Sequence, residues 1–463
     1  MSDRAKELTF REVVLNRRGS VLYRILLAIF GGALHLFFRR IATVNAERVP
    51  AGTGVIFVLN HPNGLIDPAL VFVALPRRIA FLAKSTLFRM PVISFLLKTV
   101  EALPVYRRID PGEDVSKNFD TFEAAHRRLR EGGSIALFPE GVSHNSPKLL
   151  PIKTGAARIA LGAVAAGEGK EPITLRIVPV GLYYTNKTTF RSEALLHFGE
   201  SFEVAPAEPD ADGQPSREAV RELTERIENA LREVTLNAEN DAELATATLA
   251  ERIFRTTLEK DDLRSRLTFK QKYLEADETD GGSKAGSRLE RRLNSFAAKL
   301  REAGLEPEHL SLANLTRRFV IRRALLGTWY LLMLSPVAII GTVLHFPAYQ
   351  LSKLLSHLIT RHGADDIAST VKVLAGIVFM PLTWLITASF VYYFFGWEWA
   401  LVSLPLAFLS GYIALLSLEN LVELGGWGRA ILRFFFDRDR FLRLYVERRE
   451  IQQELGSINR DTK

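Results

Sequence analysis

The 463-residue chain contains no cysteine, which excludes disulfide bonds, thiolate zinc sites and cysteine nucleophiles. Its nine histidines form no His-x-x-x-His pair with a nearby acid, so we expect no metal site. The Gly-x-Ser-x-Gly motif of serine acyl-enzymes is also missing. The sequence therefore favours neither a metal-dependent nor a covalent mechanism.

Positive charge is in excess, with a formal net charge of +8 and a pI near 9.5. Such a charge suits an anionic partner. The basic residues accompany apolar segments rather than aromatic platforms, so we expect membrane lipids and phosphorylated substrates as partners and no nucleic acid.

Long apolar runs occupy the C-terminal part of the chain, at residues 324–346, 373–396 and 400–418. The first two carry no charge and are long enough to cross a membrane, and the third is near the minimum length. Arginines before the first run and after the last both favour the cytoplasmic side, which leaves the number of crossings open. A shorter apolar run at residues 25–38 lies between arginine pairs and predicts a helix in the membrane interface. We expect an integral or tightly associated membrane protein, with its catalytic domain on the cytoplasmic face.

Between residues 50 and 205, short apolar runs alternate with helical patterns, which predicts an α/β domain. The expected strands are residues 55–59, 79–83, 134–138 and 176–184, and the expected helices include residues 120–130 and 155–166. The expected regions are a basic, interfacial anchoring helix (1–49), a catalytic domain (50–205), a charged helical region (206–318), membrane-embedded helices (319–420) and a basic amphipathic tail (421–463).

A histidine and a carboxylate follow the first expected strand, as His61 and Asp67. A histidine can accept a proton from an alcohol near neutral pH, and a carboxylate can fix its tautomer. Asp67 followed by Pro68 is equally a good helix start, with the aspartate as N-cap. The spacing alone does not decide between these roles.

Glu140 follows another buried strand, between Pro139 and Gly141. Proline and glycine favour a tight turn, which would hold the carboxylate at the end of the sheet. There it could bind substrate hydroxyls or support the histidine. An ordinary surface turn is the alternative.

Four ordered blocks, at residues 60–67, 103–107, 138–141 and 177–181, resemble the motifs of the glycerophospholipid acyltransferase superfamily. Residues 138–144, 149–155 and 190–199 are similar to the fungal-type glycerol-3-phosphate and dihydroxyacetone-phosphate acyltransferases, as are the helical region and C-terminal membrane segments that follow. The resemblance implies an α/β fold, with a glycerolipid acyltransferase-like sheet flanked by helices, an interfacial N-terminal helix and C-terminal transmembrane helices.

It also implies roles for individual residues. His61 would deprotonate the acceptor hydroxyl and Asp67 would orient the histidine. The residues expected to bind substrate are Arg107, Glu140, Gly141, Lys153, Lys84 and Arg191. No cofactor is implied, because acyl-CoA or acyl-carrier protein brings the acyl group as a substrate.

Two departures from the family pattern stand out. Five residues separate His61 from Asp67, where four are usual, and Val142–Ser143–His144 replaces the common Thr-Arg-Ser. We expect His144 to lie in a loop or to shape the acceptor site. The implied reaction is acylation of glycerol 3-phosphate in phospholipid biosynthesis. The alternatives are acylation of 1-acylglycerol 3-phosphate (lysophosphatidate) and, in another class, a non-catalytic lipid-binding membrane scaffold.

Overall fold

The computed structural model describes residues 5–15, 19–75, 77–107, 109–110, 112–165, 173–208, 210, 214–255, 262–279, 286–310, 317–360 and 368–461. The chain forms two compact units. The first comprises Met1–Glu239, Asp262–Leu267 and His362–Val373. The second comprises Asn240–Asp261, Thr268–Arg361 and Leu374–Lys463.

In the described part of the first unit, a sheet of nine strands forms the centre. The strands are β1 (Lys6–Glu7), β2 (Arg40–Val44), β3 (Gly54–Leu59), β4 (Ala80–Lys84), β5 (Leu103–Val105), β6 (Ser134–Leu137), β7 (Leu175–Tyr184), β8 (Glu193–Phe198) and β9 (Phe202–Glu203). All four strands expected from the sequence are confirmed, as β3, β4, β6 and β7. All of β3 is buried, which explains its uninterrupted apolar sequence.

The strand order is β1-β2-β8-β7-β3-β6-β4-β5, and β9 pairs with β7. The five strands from β7 to β5 run parallel to one another. Strand β8 is antiparallel to β7 and parallel to β2. The carboxyl ends of β3, β4, β5, β6 and β7 therefore lie along one edge, where α/β proteins generally place their sites.

The first unit also contains α-helices, three of which pack against the central strands of the sheet. The helices are α1 (Phe10–Leu15), α2 (Val21–Phe37), α3 (Ile66–Ala74), α4 (Pro91–Thr99), α5 (Asn118–Arg130), α6 (Gly155–Val164) and α7 (Arg217–Val234). Helices α5, α6 and α7 share one apolar core with β3, β6 and β7. The amphipathic face of α7 is buried as its spacing predicts.

Helix α2 corresponds to the expected interfacial helix and has two different sides. Leu26, Leu27 and Leu34 are buried in the unit, whereas Val21 and Ile25 are exposed. One side thus packs within the fold, and the other presents apolar side chains to the outside.

The second unit is helical. Its helices are α8 (Asp241–Arg255), α9 (Leu263–Thr279), α10 (Gly286–Ala303), α11 (Arg317–Thr360), α12 (Ala368–Phe395), α13 (Trp397–Phe436) and α14 (Arg438–Asp461), with the first residues of α9 and α12 belonging to the first unit. Within the described ranges, three segments are long and apolar enough to cross a membrane: Leu332–Ile359, Thr370–Phe395 and Trp397–Phe436.

Two of these segments differ from the expected runs. Helix α11 continues through Pro336 and Pro347, so its apolar segment extends well beyond residue 346. Helix α13 continues to Phe436, and the expected boundary at residue 420 lies inside it. Helix α13 is longer than the hydrocarbon core of a membrane is thick. It therefore includes polar residues that composition alone assigns to a separate tail.

Candidate active site

The candidate residues gather at the carboxyl edge of the parallel strands. His61 follows β3 and Glu140 follows β6. Lys84 is the last residue of β4, and Arg107 follows β5. Because these strands are neighbours in one parallel sheet, residues far apart in sequence share a single edge.

Two sets of contacts hold His61 in place, one at its loop and one at its imidazole ring. The Asn60 side chain accepts a hydrogen bond from the Leu182 N–H at 2.7 Å and donates one to the Leu182 carbonyl at 3.1 Å, which fixes the loop to β7. The imidazole stacks on Phe138, with ring centroids 4.0 Å apart. Loop and ring are therefore fixed independently.

The imidazole is paired with Asp67. His61 Nδ1 lies 2.8 Å from Asp67 Oδ2, so the extra residue between them does not prevent contact. A carboxylate at Nδ1 favours the tautomer that carries its proton there, which leaves a lone pair on Nε2. Within the described part of the chain, Nε2 has no hydrogen-bond partner, and the side chain is 17% exposed. Nε2 of His61 is thus placed to accept a proton from a ligand.

Asp67 is fully buried, and both of its oxygens accept hydrogen bonds. Oδ2 accepts from His61 and from the Asn63 N–H at 2.7 Å. Oδ1 accepts from the Tyr184 hydroxyl at 2.5 Å. Burial, together with the charge of Asp67, raises the pKa of Tyr184 well above its usual value, so the phenol stays protonated and able to donate.

The expected N-cap role of Asp67 is wrong. Helix α3 begins at Ile66 with Leu65 as its N-cap, so Asp67 lies within the first turn. Its carboxylate reaches back to the Asn63 N–H and the histidine. The first turn thereby directs the carboxylate towards the loop that carries His61.

Glu140 supports the histidine loop. Oε1 accepts the backbone N–H of His61 at 2.8 Å. Oε2 accepts the Leu150 N–H at 2.9 Å and contacts His144 Nε2. The carboxylate has no exposed surface, so of its two expected roles this geometry favours support of the histidine over contact with substrate.

His144 forms a second histidine–carboxylate pair in the same loop system. Its Nδ1 accepts the Ser146 N–H at 3.1 Å, which leaves Nε2 as the nitrogen that donates to Glu140. Its backbone N–H donates to the His61 carbonyl at 3.2 Å. His144 therefore lies in a loop, as expected, and connects that loop to the backbone of His61.

Three of the four cations expected to bind substrate lie close together. Arg107 pairs with Asp110 through Nε (2.9 Å) and Nη2 (3.0 Å), and its Nη1 donates to the Gly141 carbonyl at 2.6 Å. Lys84 Nζ lies 3.1 Å from Asp110. The Lys153 side chain covers Gly141, where an added Cβ would meet Nζ at 2.5 Å. Gly141 has a φ of +75°, a conformation that glycine adopts without strain.

Arg191 lies elsewhere at this edge. It has a left-handed backbone conformation with a φ of +64°. Its N–H donates to the Phe37 carbonyl at 2.7 Å, and its Nη1 to the His35 carbonyl at 3.4 Å. These contacts place it against the C-terminal end of α2, where carbonyl groups attract a cation.

Sequence reasoning missed Tyr184 and Asp110. Tyr184 ends a strand in which all residues but one are buried, so no alternation marks its side chain as special. Asp110 had a weak signal, because it follows Arg107 by three residues with opposite charge. Among the described residues, no group of three histidine or carboxylate side chains could hold a metal ion.

Residues 40–183 match the family model described as Acyltransferase, a range that contains His61, Asp67 and the three cations around Gly141. The chain therefore contains an acyltransferase domain, and its sequence fits the glycerophospholipid acyltransferase superfamily.

Several relatives with known names indicate which kinds of acyltransferase the chain resembles. The chain is 27% identical over 280 residues to glycerol-3-phosphate O-acyltransferase 2 of Saccharomyces cerevisiae, covering 58% of this chain and 37% of the relative. It is 25% identical over 475 residues to glycerol-3-phosphate O-acyltransferase 1 of the same yeast, covering 81% and 62%. A 1-acyl-sn-glycerol-3-phosphate acyltransferase of Bacillus subtilis is 27% identical over 215 residues, covering 46% and 92%. The chain thus spans less than two thirds of either yeast relative.

Proposed function

We propose that this protein transfers a fatty acyl group from acyl-CoA or acyl-carrier protein to the hydroxyl of glycerol 3-phosphate. The observation that carries the proposal is the position of His61 Nε2, a lone-pair nitrogen at the same sheet edge as Arg107, Lys84 and Lys153. Such a site combines a proton acceptor with a group of cations that suits an acceptor phosphate.

The reaction requires one base and no covalent enzyme intermediate. His61 Nε2 removes the proton of the acceptor hydroxyl as the oxygen attacks the thioester carbonyl. The C–O bond forms, and the tetrahedral oxyanion then collapses with cleavage of the C–S bond. The departing thiolate takes the proton from the imidazolium, so the products are an ester and a free thiol. No bound cofactor or metal enters these steps.

Asp67 stabilises the imidazolium formed during attack and keeps Nδ1 protonated before it. Glu140 fixes the backbone of His61 through its N–H. Phosphate binding by Arg107 holds the acceptor, which converts the attack into a step between positioned groups.

The second candidate acceptor is 1-acylglycerol 3-phosphate, which carries the same phosphate. Support for glycerol 3-phosphate comes from the two yeast relatives, and support for the alternative from the Bacillus protein. We further propose that the apolar C-terminal helices anchor the protein in a membrane, with the first unit on the cytoplasmic face and membrane lipids around it.

The test supplies purified protein with labelled acyl-CoA or acyl-carrier protein and with each acceptor in turn. We expect ester formation with glycerol 3-phosphate and a loss of about 10²–10⁴-fold in kcat for His61→Ala. His357→Ala, which changes an exposed histidine of the second unit, serves as the matched control and should retain activity.

Preference for 1-acylglycerol 3-phosphate would establish the alternative acceptor. Failure to acylate either phosphate-bearing acceptor would contradict the proposed substrate class. An unchanged rate in His61→Ala would contradict the role of His61. A wild-type protein that binds lipids without acyl transfer would instead indicate a membrane scaffold.

A further inference from the structure

Two of the cations at the active edge, Arg107 and Lys84, share one anion, Asp110. Arg107 approaches this carboxylate with two N–H groups, and Lys84 approaches it with its ammonium. A paired charge of this kind stays ionised. The hydrogen bonds from Arg107, followed by those from Lys84, hold the pKa of Asp110 below its usual value.

The exposed fractions of the three side chains show that Asp110 lies beneath Arg107 and Lys84. The Asp110 side chain is 5% exposed, against 21% for Arg107 and 38% for Lys84. The anion therefore lies on the protein side of the cluster, and the cations form its outer surface. A ligand that reaches this surface meets the guanidinium and the ammonium before the carboxylate.

Both cations keep donors for a ligand. A guanidinium has five N–H groups, and Arg107 uses three of them on Asp110 and Gly141. An ammonium has three, and Lys84 directs one at Asp110. Without a carboxylate between them, two positive charges at this separation would repel each other. Asp110 offsets that repulsion and fixes the plane of the guanidinium.

The loop that carries Asp110 is itself held in place. The Asp110 N–H donates to the Arg107 carbonyl at 3.0 Å, and the Glu113 N–H donates to the Asp110 carbonyl at 3.3 Å. Gly112 adopts a φ of +74° within the same turn. A backbone hydrogen bond thus ties Asp110 to the arginine that its carboxylate holds.

We infer that Asp110 is a positioning residue for the acceptor phosphate, which braces Arg107 and Lys84 so that their remaining N–H groups converge on one anion. The inference rests on the proposed function and adds a residue to it. A competing interpretation makes Asp110 an anion that occupies the phosphate position and must be displaced. The two interpretations predict opposite changes in acceptor KM.

The experiment compares full-length wild type with Asp110→Asn, which keeps the shape of the side chain and removes its charge. We expect acceptor KM to rise about tenfold, because the guanidinium loses its charged partner, while kcat and the KM of the thioester change less than about twofold. Inhibition by inorganic phosphate should weaken by the same factor as acceptor binding. Asp114→Asn is the matched control, since Asp114 lies in the same loop and caps Ser116.

A second comparison separates positioning from general loss of structure. If Asp110 acts through Arg107 and Lys84, Asp110→Asn should add nothing to acceptor KM in a variant with both cations changed to alanine. An additive effect would contradict the inference, and so would a fall in kcat at unchanged acceptor KM. A lower acceptor KM in Asp110→Asn would overturn it in favour of the displaced anion.

Failure of the inference can be told apart from failure of the proposed function. If Arg107→Ala raises acceptor KM and Asp110→Asn does not, the phosphate site stands and the role of Asp110 is wrong. If wild type acylates no phosphate-bearing acceptor, the proposed function itself fails. Calorimetric titration of inorganic phosphate into wild type and Asp110→Asn tests the positioning role of Asp110 without turnover. Equal phosphate affinities of the two proteins would refute that role.

Discussion

Among the residues that the structure describes, the hydroxyl of Tyr184 is the only donor to one oxygen of the buried Asp67, whereas the other oxygen has two donors. We expect Tyr184→Phe to lower kcat by about 10–100-fold. A hydrogen bond to a buried charged group contributes about 1.5–3 kcal/mol, and phenylalanine fills the same space without making a cavity. The carboxylate would then be free to rotate away from His61.

Steady-state kinetics on both substrates measure this effect, and a melting curve in detergent measures any loss of stability. Tyr183→Phe is the matched control. It removes the same hydroxyl from the adjacent residue, whose side chain lies on the opposite face of the sheet, packed against Leu195 and Leu263. We expect Tyr183→Phe to leave kcat unchanged.

We also expect the effects of Tyr184→Phe and His61→Ala on kcat to be non-additive. In a His61→Ala background, Tyr184→Phe should cause no further loss of rate, because the hydroxyl acts through Asp67 and the histidine. An unchanged kcat in Tyr184→Phe would refute the assigned role. A further fall in kcat in the His61→Ala background would show that the phenol acts on the substrate or the fold independently.

Two further outcomes concern stability. Gly181→Ala should lower the free energy of unfolding by about 3 kcal/mol, because a Cβ at this position would lie 1.9 Å from the Val234 carbonyl oxygen, and thermal melting against wild type checks it. The pKa of Asp110 is lowered in the folded protein by Arg107, so its stabilising contribution is complete above the unfolded value, about 3.9, and is lost as the pH falls through the folded value. The difference in melting temperature between wild type and Asp110→Asn should therefore shrink below about pH 4, and a constant difference from pH 6 to pH 3 would count against this.

The sequence predicted four of the nine described strands and the central pair of the site. Runs such as residues 55–59 are continuous and apolar because β3 is buried on both faces, which makes a strand of this kind easy to recognise. The pairing of His61 with Asp67 followed from the motif. Strand β8 was not expected, because its antiparallel position between β7 and β2 depends on long-range pairing that no local pattern encodes.

Side-chain roles were harder to predict than elements. Glu140 was assigned to a turn correctly, but the partners of its carboxylate lie on two other segments, at His61 and Leu150. Asp67 carried a strong local signal for a helix cap, and contacts with His61 and Tyr184 outweigh that signal. Local preference is a weak guide where buried charges must find several partners at once.

One short turn connects the two halves of the site. Glu140 holds the backbone of His61, and the next residue, Gly141, accepts a hydrogen bond from Arg107. Two consecutive residues thus set the separation between the proton-accepting nitrogen and the guanidinium. In the proposed reaction, this separation would set how many atoms lie between the phosphate of the acceptor and the hydroxyl that is acylated.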